Sequence, residues 1–144
     1  MQTTRDNVCY DSAAIAIGTT TSKVKSVNLI SYAMGGRGYS KAATDDLWTL
    51  SGTSLTTHQA CVFWLWLDSA GAASVTQSDI KTASTATSGY EPGAFEWPHH
   101  ATKTLVGAVL IKSGSSTFVP GTTALTSVAT YFNVVADYGL PIAY

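Results

Sequence analysis

Residues 60–67 (ACVFWLWL) carry apolar side chains on both faces of one short strand. Because side chains alternate along a β-strand, every second residue shares a face. One face carries Cys61, Phe63, Leu65 and Leu67, and the other carries Val62, Trp64 and Trp66. A strand of this kind needs two burial partners, which restricts the folds that the chain can adopt.

Residues 105–111 are also apolar on both faces of a predicted strand. Strict alternation predicts one face with Leu105, Gly107, Val109 and Ile111 and another with Val106, Ala108 and Leu110. The domain core covers one face of each strand. We expect the other to be a protein–protein surface, since large apolar patches mark interaction sites; an internal second layer is the alternative. The interface candidates are Val62, Trp64, Trp66, Tyr90 and Trp97.

The rest of the chain alternates short apolar runs with turn residues such as Gly, Pro, Asp and Ser. Apolar spacing typical of helices extends no further than two turns. The pattern predicts an all-β antiparallel fold: a β-sandwich, jelly roll or barrel. Within residues 24–32 we expect Val27, Leu29 and Tyr32 to supply the apolar side chains of a strand with one face on the core. The predicted strands are residues 10–17, 24–32, 39–43, 47–50, 60–67, 74–76, 104–112, 117–119 and 130–136.

The length of 144 residues suits a single domain. We predict a β-sandwich over residues 25–144, preceded over residues 1–24 by an extended N-terminal arm that orders against a partner, or by an ordinary first strand. The N-terminus has no basic start followed by an apolar stretch, so we expect no secretory signal and synthesis in a cytoplasm.

Composition argues against several classes of partner. Charged residues make up 12% of the chain and the formal net charge is −1, which does not suit nucleic acid or an anionic membrane. The longest apolar run is far shorter than the ~20 residues of a membrane-spanning helix. Cys9 and Cys61 lack the spacing of a metal or redox motif, and we expect free, buried thiols, with a disulfide as the alternative.

The sequence contains no recognisable catalytic constellation. His58, His99 and His100 do not have zinc-ligand spacing, and there is no nucleophile elbow or phosphate-binding glycine loop. The most enzyme-like group is Glu91, Glu96 and His99 in an aromatic segment, and the simpler interpretation of that segment is a loop anchored by its aromatic rings. We therefore expect no catalytic, cofactor or metal site.

Two turns are predicted from their residues. Pro120-Gly121 suits a type II turn between Val119 and Thr122, because proline presets φ at the first central position and glycine supplies positive φ at the second. We expect Phe118 and Leu125 to pack inward on either side of it. Asp45-Asp46 suits a turn in which the carboxylates accept hydrogen bonds from nearby backbone N–H groups.

Four segments, in this order, resemble a family of small capsid decoration, or cementing, proteins of tailed bacteriophages. They are YSKAATDDLW at 39–48, LDSAG at 67–71 running into SVT at 74–76, VGAVLI at 106–111, and TFVPGTTAL at 117–125. The resemblance spans roughly residues 31–138. Residues 91–100 and the N-terminal segment depart from the family pattern.

The resemblance implies a jelly-roll-like β fold, no catalysis, and attachment to the outside of an HK97-type icosahedral head. The implied partners are the major capsid protein and a second copy of the chain, with a homodimer favoured over a trimer. The alternative is a receptor- or carbohydrate-binding module of a tail or head fibre, in which Trp64 and Trp66 form a flat platform for sugar.

Overall fold

The computed structural model describes residues 7–82, 98, 100–137 and 140–143. Every regular element in these ranges is a β-strand, and every strand pairing is antiparallel. The predicted all-β antiparallel fold is therefore confirmed. The strands are β1 (Val8–Cys9), β2 (Ile15–Ile17), β3 (Lys23–Ser26), β4 (Ile30–Met34), β5 (Arg37–Lys41), β6 (Trp48–Thr49), β7 (Gln59–Leu67), β8 (Ala73–Gln77), β9 (Lys81–Thr82), β10 (Thr104–Lys112), β11 (Ala129–Asp137) and β12 (Leu140–Ala143).

The strands form one large sheet and two small ones. The large sheet has the order β12-β11-β10-β7-β8, with β9 also paired to β7. The small sheets have the orders β1-β4-β5 and β2-β3-β6. One core joins all three sheets, so the chain folds as a β-sandwich in which the two small sheets share the layer facing the large one.

The core lies on the inner face of β7 and β10. It also takes side chains from both small sheets and from the loops after β6 and β10. The indole Nε1 of the fully buried Trp48 donates a 3.1 Å hydrogen bond to the carbonyl oxygen of Trp66, which ties β6 to the large sheet. The fully buried large side chains of this core are Tyr32, Trp48, Phe63, Phe118, Ile30, Leu50, Leu55, Leu65, Leu67, Ile111 and Leu125.

Gly107 lets the two layers approach closely. A Cβ at this position would lie 2.8 Å from Cδ1 of Ile15 and 3.0 Å from the carbonyl oxygen of Phe132. The backbone N–H of Ile15 donates a 3.0 Å hydrogen bond to Oδ1 of Asn133 on β11. The missing side chain in β10 therefore makes room for β2 against the large sheet.

A β-bulge changes the faces predicted for β10. Leu105 lies opposite Trp66 and Gly107 lies opposite Leu65, which leaves Val106 as an extra residue. Val106 consequently joins the core and Leu105 packs on the outer face. The predicted assignment of these two residues was wrong, because strict alternation fails across a bulge.

The predicted orientation of Val27 and Leu29 was also wrong. Both side chains are 53% exposed. The predicted strand 24–32 is two strands: β3 ends at Ser26 and β4 begins at Ile30. Between them the N–H groups of Val27 and Asn28 both donate to the carbonyl oxygen of Ala13. This local turn places the intervening side chains outside.

Residues 7–24 fit the alternative of ordinary strands, since they contain β1, β2 and the start of β3, joined by loops. β1 pairs with β4, and β2 pairs with β3. Cys9, Ala13 and Ile15 are buried in the sandwich core. This part of the N-terminal segment thus folds on its own chain; residues 1–6 lie outside the described residues.

The Pro120-Gly121 turn forms as predicted. Gly121 has φ of +80°, and the N–H of Thr122 donates a 3.1 Å hydrogen bond to the carbonyl oxygen of Val119. Phe118 and Leu125 are buried on either side. The predicted strand 117–119 is reduced to a single bridge, in which Phe118 pairs with Leu55.

We expect Gly121→Ala to destabilise the fold more than Gly114→Ala. Both glycines have positive φ, but a Cβ on Gly121 would lie 2.8 Å from the carbonyl oxygen of Leu50, whereas one on Gly114 meets nothing within 4 Å. Gly114→Ala should cost about 1 kcal/mol through its backbone conformation alone, and Gly121→Ala at least ~2 kcal/mol. Urea unfolding measures both; equal losses would contradict the role given to the contact with Leu50.

Candidate functional site

The outer face of β7 and β10 carries a second apolar cluster, here called the tryptophan face. Leu105 and Phe132 pack against it at its border. Val62, Trp64 and Trp66 are 0%, 2% and 3% exposed. The expectation that these three residues form an open interaction patch was wrong, because the single chain already buries them. The members of the tryptophan face are Val62, Trp64, Trp66, Ala108 and Leu110.

Trp66 has polar and aromatic partners within the chain. Its indole Nε1 donates a 2.9 Å hydrogen bond to Oγ1 of Thr76 on β8. Its ring lies 5.6 Å from the ring of His100, centroid to centroid, with 58° between the planes. A sugar-binding platform needs an open ring face, so the structure does not provide the flat platform predicted for Trp64 and Trp66.

The side chain of Asn7 also contacts the segment that carries His100. Nδ2 of Asn7 lies within hydrogen-bonding distance of three carbonyl oxygens: 2.9 Å from His100, 3.1 Å from Ala101 and 3.2 Å from Lys103. Since Asn7 directly precedes β1, this contact links the start of the sheet β1-β4-β5 to the segment that leads into β10.

Several predicted site residues lie outside the described residues. Tyr90 and Trp97, named as interface candidates, are among them, as are Glu91, Glu96 and His99 of the most enzyme-like group. Their interface or site roles stay predictions.

Three large apolar side chains are exposed on neighbouring segments. Tyr10, Val27 and Leu29 are 51%, 53% and 53% exposed; we call them the apolar rim. The N–H of Tyr10 donates to the carbonyl oxygen of Ser31 at 2.8 Å, and that of Val27 donates to Ala13 at 3.0 Å. Residues 10–13 and 27–31 are therefore held side by side. This surface was not predicted from the sequence, although the turn-favouring Asn28 between Val27 and Leu29 signals the break in the strand.

The acidic pair at residues 45 and 46 ties down the turn between β2 and β3. Oδ1 of Asp45 accepts 3.0 Å hydrogen bonds from the N–H groups of Thr19 and Asp46, and Oδ1 of Asp46 accepts one of 3.0 Å from Thr20. Hydrogen bonds from the side chain and backbone of Thr19 lower the pKa of Asp45. The predicted turn is confirmed, and both carboxylates serve structure.

Asp68 organises the loop between β7 and β8. Its Oδ1 accepts 2.9 Å hydrogen bonds from the N–H groups of Ala70 and Ala72. The Ala72 N–H contributes most to lowering the pKa of Asp68, followed by that of Ala70 and by the charge of Lys103. The Tyr32 hydroxyl donates to the Asp68 carbonyl oxygen at 2.8 Å, so this loop is fastened to the small sheet.

Cys9 and Cys61 are free and buried, as predicted. Burial raises the pKa of Cys9 to about 12 and that of Cys61 to about 11. The thiolate is the reactive form of cysteine, so both thiols are poor nucleophiles at neutral pH in the folded protein.

Within the described ranges, no group of three or more His, Cys, Asp or Glu side chains is placed to hold a metal ion. The described part of the chain also has no helix whose length and apolar character would let it cross a membrane.

These features define an antiparallel β-sandwich whose central strands β7 and β10 are buried on both faces and whose apolar rim is open. Comparisons of the chain with protein-family models, with curated proteins and with solved structures found no match.

We expect Trp66→Ala to destabilise the protein by about 3–5 kcal/mol, the usual cost of emptying a buried tryptophan site. The matched surface change Leu29→Ala, at a side chain that is 53% exposed, should cost no more than ~0.5 kcal/mol. Urea unfolding followed by circular dichroism measures both. A fully stable Trp66→Ala protein would contradict the burial of the tryptophan face.

The hydrogen bonds to Asp68 predict a loss of stability in acid. Because its folded pKa lies below the ordinary value of 3.8, the ionised carboxylate stabilises the fold above that value, and the contribution disappears as the pH falls through the folded pKa. Asp68→Asn should therefore be less stable than the parent at pH 7, with a difference that shrinks towards pH ~2.

Urea unfolding across this pH range tests the Asp68 prediction. Asp79→Asn, which removes the charge of an exposed aspartate, is the matched control for the change in net charge. A difference between Asp68→Asn and the parent that stays constant with pH would count against the charged hydrogen bonds.

Proposed function

We propose that the protein is a capsid decoration protein of a tailed bacteriophage, with a jelly-roll form of the β-sandwich. It binds the outside of an HK97-type head, bridges neighbouring major capsid protein subunits without catalysis, and associates with itself as a homodimer. Made in the host cytoplasm, it resides on the outer surface of the virion.

The resemblance of the four sequence segments supports this proposal. Residues 39–48 run from β5 into β6, residues 67–76 make the β7–β8 hairpin, and residues 106–111 lie in β10. Residues 117–125 contain the type II turn at Gly121. The four segments thus form strands and turns of a single β-sandwich. A protein with the same fold would carry these strands and turns in the same order along its chain.

The apolar rim is the observation that carries the proposed contact. Monomeric proteins expose single apolar residues routinely, but grouped ones favour an interface. Tyr10, Val27 and Leu29 lie on two segments joined by backbone hydrogen bonds, and tyrosine is enriched at protein–protein interfaces. These residues replace the tryptophan face as the proposed contact with the shell.

A surface of this kind would stabilise the shell by burying apolar area at many equivalent positions. A standard interface buries ~1,600 Å², and apolar area contributes roughly 25 cal/mol per Å² before ordering costs are subtracted. Each copy adds a modest net gain, and the many equivalent positions on an icosahedral shell multiply it.

Binding to empty heads that lack the protein tests the proposal. We expect saturable co-sedimentation of the purified protein with shells and a rise in the shell melting temperature. Val27→Ser/Leu29→Ser should lower the affinity at least tenfold without unfolding the protein, because both side chains are exposed.

The matched control is Val119→Ser, at a side chain that is 39% exposed on the Pro120-Gly121 turn. It should bind shells like the parent. Absence of shell binding by the parent protein would refute the decoration function, whereas equal binding by Val27→Ser/Leu29→Ser would refute only the apolar rim as the contact.

A further inference from the structure

Strand β5 forms an exposed edge of the small sheet β1-β4-β5. Its five residues pair with β4 in unbroken register, from Met34 opposite Arg37 to Ile30 opposite Lys41. Arg37, Gly38 and Ser40 are exposed, and a Cβ built on Gly38 meets nothing within 4 Å. Among the described residues, no further strand pairs with β5.

The backbone groups of Gly38 and Ser40 point away from β4. In an antiparallel ladder, opposed residues alternate between pairs that exchange hydrogen bonds and pairs that do not. The carbonyl oxygen of Ser31 accepts from the N–H of Tyr10 on the β1 side, so the Ser31–Ser40 pair does not exchange hydrogen bonds. Gly38, two residues from Ser40, has the same orientation. Both residues therefore present an N–H and a carbonyl oxygen at the open edge.

Other strand edges in the described part of the chain are shorter or less accessible. β1, β6 and β9 have two residues, β2 has three and β12 has four. At the edge of the large sheet, β8 has four of its five residues half-buried. β5 thus combines length, regularity and exposure, which are the features of an edge that accepts an added strand.

The charges on β5 disfavour pairing with a second copy of itself. Antiparallel pairing of two β5 strands over their full length would centre on Tyr39 and set Arg37 opposite Lys41 of the second copy. Like charges directly opposite each other destabilise a sheet. The same two cations would attract an acidic strand.

We propose that the free edge of β5 binds an extended acidic segment of a partner protein as an added antiparallel strand. Since Arg37, Tyr39 and Lys41 share one face of β5, the segment carries acidic residues four positions apart, opposite the two cations, with an apolar residue midway opposite Tyr39. This inference goes beyond the proposed function and does not depend on the partner being a capsid protein.

Titration of the full-length, ¹⁵N-labelled protein with synthetic peptides tests the inference. The probe is the capped peptide TETVTET, and the control is TKTVTKT. We expect TETVTET to shift the amide signals of Gly38 and Ser40, to slow their hydrogen exchange, and to bind at least tenfold more tightly than TKTVTKT in low salt. Added salt should weaken the binding, because part of it is electrostatic.

Two variants separate edge pairing from general charge attraction. Ser40→Pro removes an edge donor that β4 does not use, so the sheet should persist while peptide affinity falls at least tenfold. Arg37→Glu/Lys41→Glu should reverse the preference, binding TKTVTKT more tightly than TETVTET. The matched control Lys23→Glu/Lys112→Glu changes the net charge equally on other strands and should keep the original preference.

Absence of binding by TETVTET, shifts confined to other strands, or an unreversed preference in Arg37→Glu/Lys41→Glu would each overturn the inference. Dimerisation through β5 in the parent protein, detected as concentration-dependent shifts of Gly38 and Ser40, would overturn it in favour of a second copy. Loss of peptide binding would leave the shell-binding result unaffected, so the two proposals fail independently.

Discussion

The burial of both faces of β7 is the constraint on which the structure depends. Its inner face is covered by the two small sheets and its outer face belongs to the tryptophan face, so the same nine-residue strand takes part in two apolar clusters. The hydrogen bond from Trp48 to the carbonyl oxygen of Trp66 joins a buried indole to this strand. Because an unpaired buried donor is costly, that bond fixes the position of β6 over the large sheet.

The close packing of the two layers of the sandwich requires glycine at two positions, and β10 contains a β-bulge. The absence of a side chain at Gly107 lets Ile15 pack against the large sheet. The absence of one at Gly121 lets the turn after Phe118 lie close to the carbonyl oxygen of Leu50. The bulge at Val106 gives β10 one more residue than its partner, which brings Val106 into the core and releases Leu105 to the other side. These features let a short chain build two apolar clusters from one central pair of strands.

Three aspartates on the described surface stabilise loops. Asp45, Asp46 and Asp68 accept backbone hydrogen bonds in two loops, so these carboxylates are committed to local structure. With the tryptophan face buried, the apolar rim and the edge of β5 remain as accessible surfaces of different chemistry. The first offers apolar area and the second offers unpaired backbone groups between two cations, so they suit different partners.

Several features could be predicted from the amino-acid sequence alone: the all-β class, the extents of β7 and β10 within a residue, the Pro120-Gly121 turn and the buried free thiols. Each of these follows from local rules: alternation, fixed proline and glycine conformations, and the preference of cysteine for the interior. Which strand faces are covered depends on contacts between residues far apart in the sequence. The outward position of Val27 and Leu29 depends on hydrogen bonds to Ala13, distant in sequence, and the exchange of Leu105 and Val106 depends on the register with β7. The burial of Trp64 and Trp66 also depends on tertiary packing. An apolar strand face has the same residue pattern whether its own chain or a partner covers it.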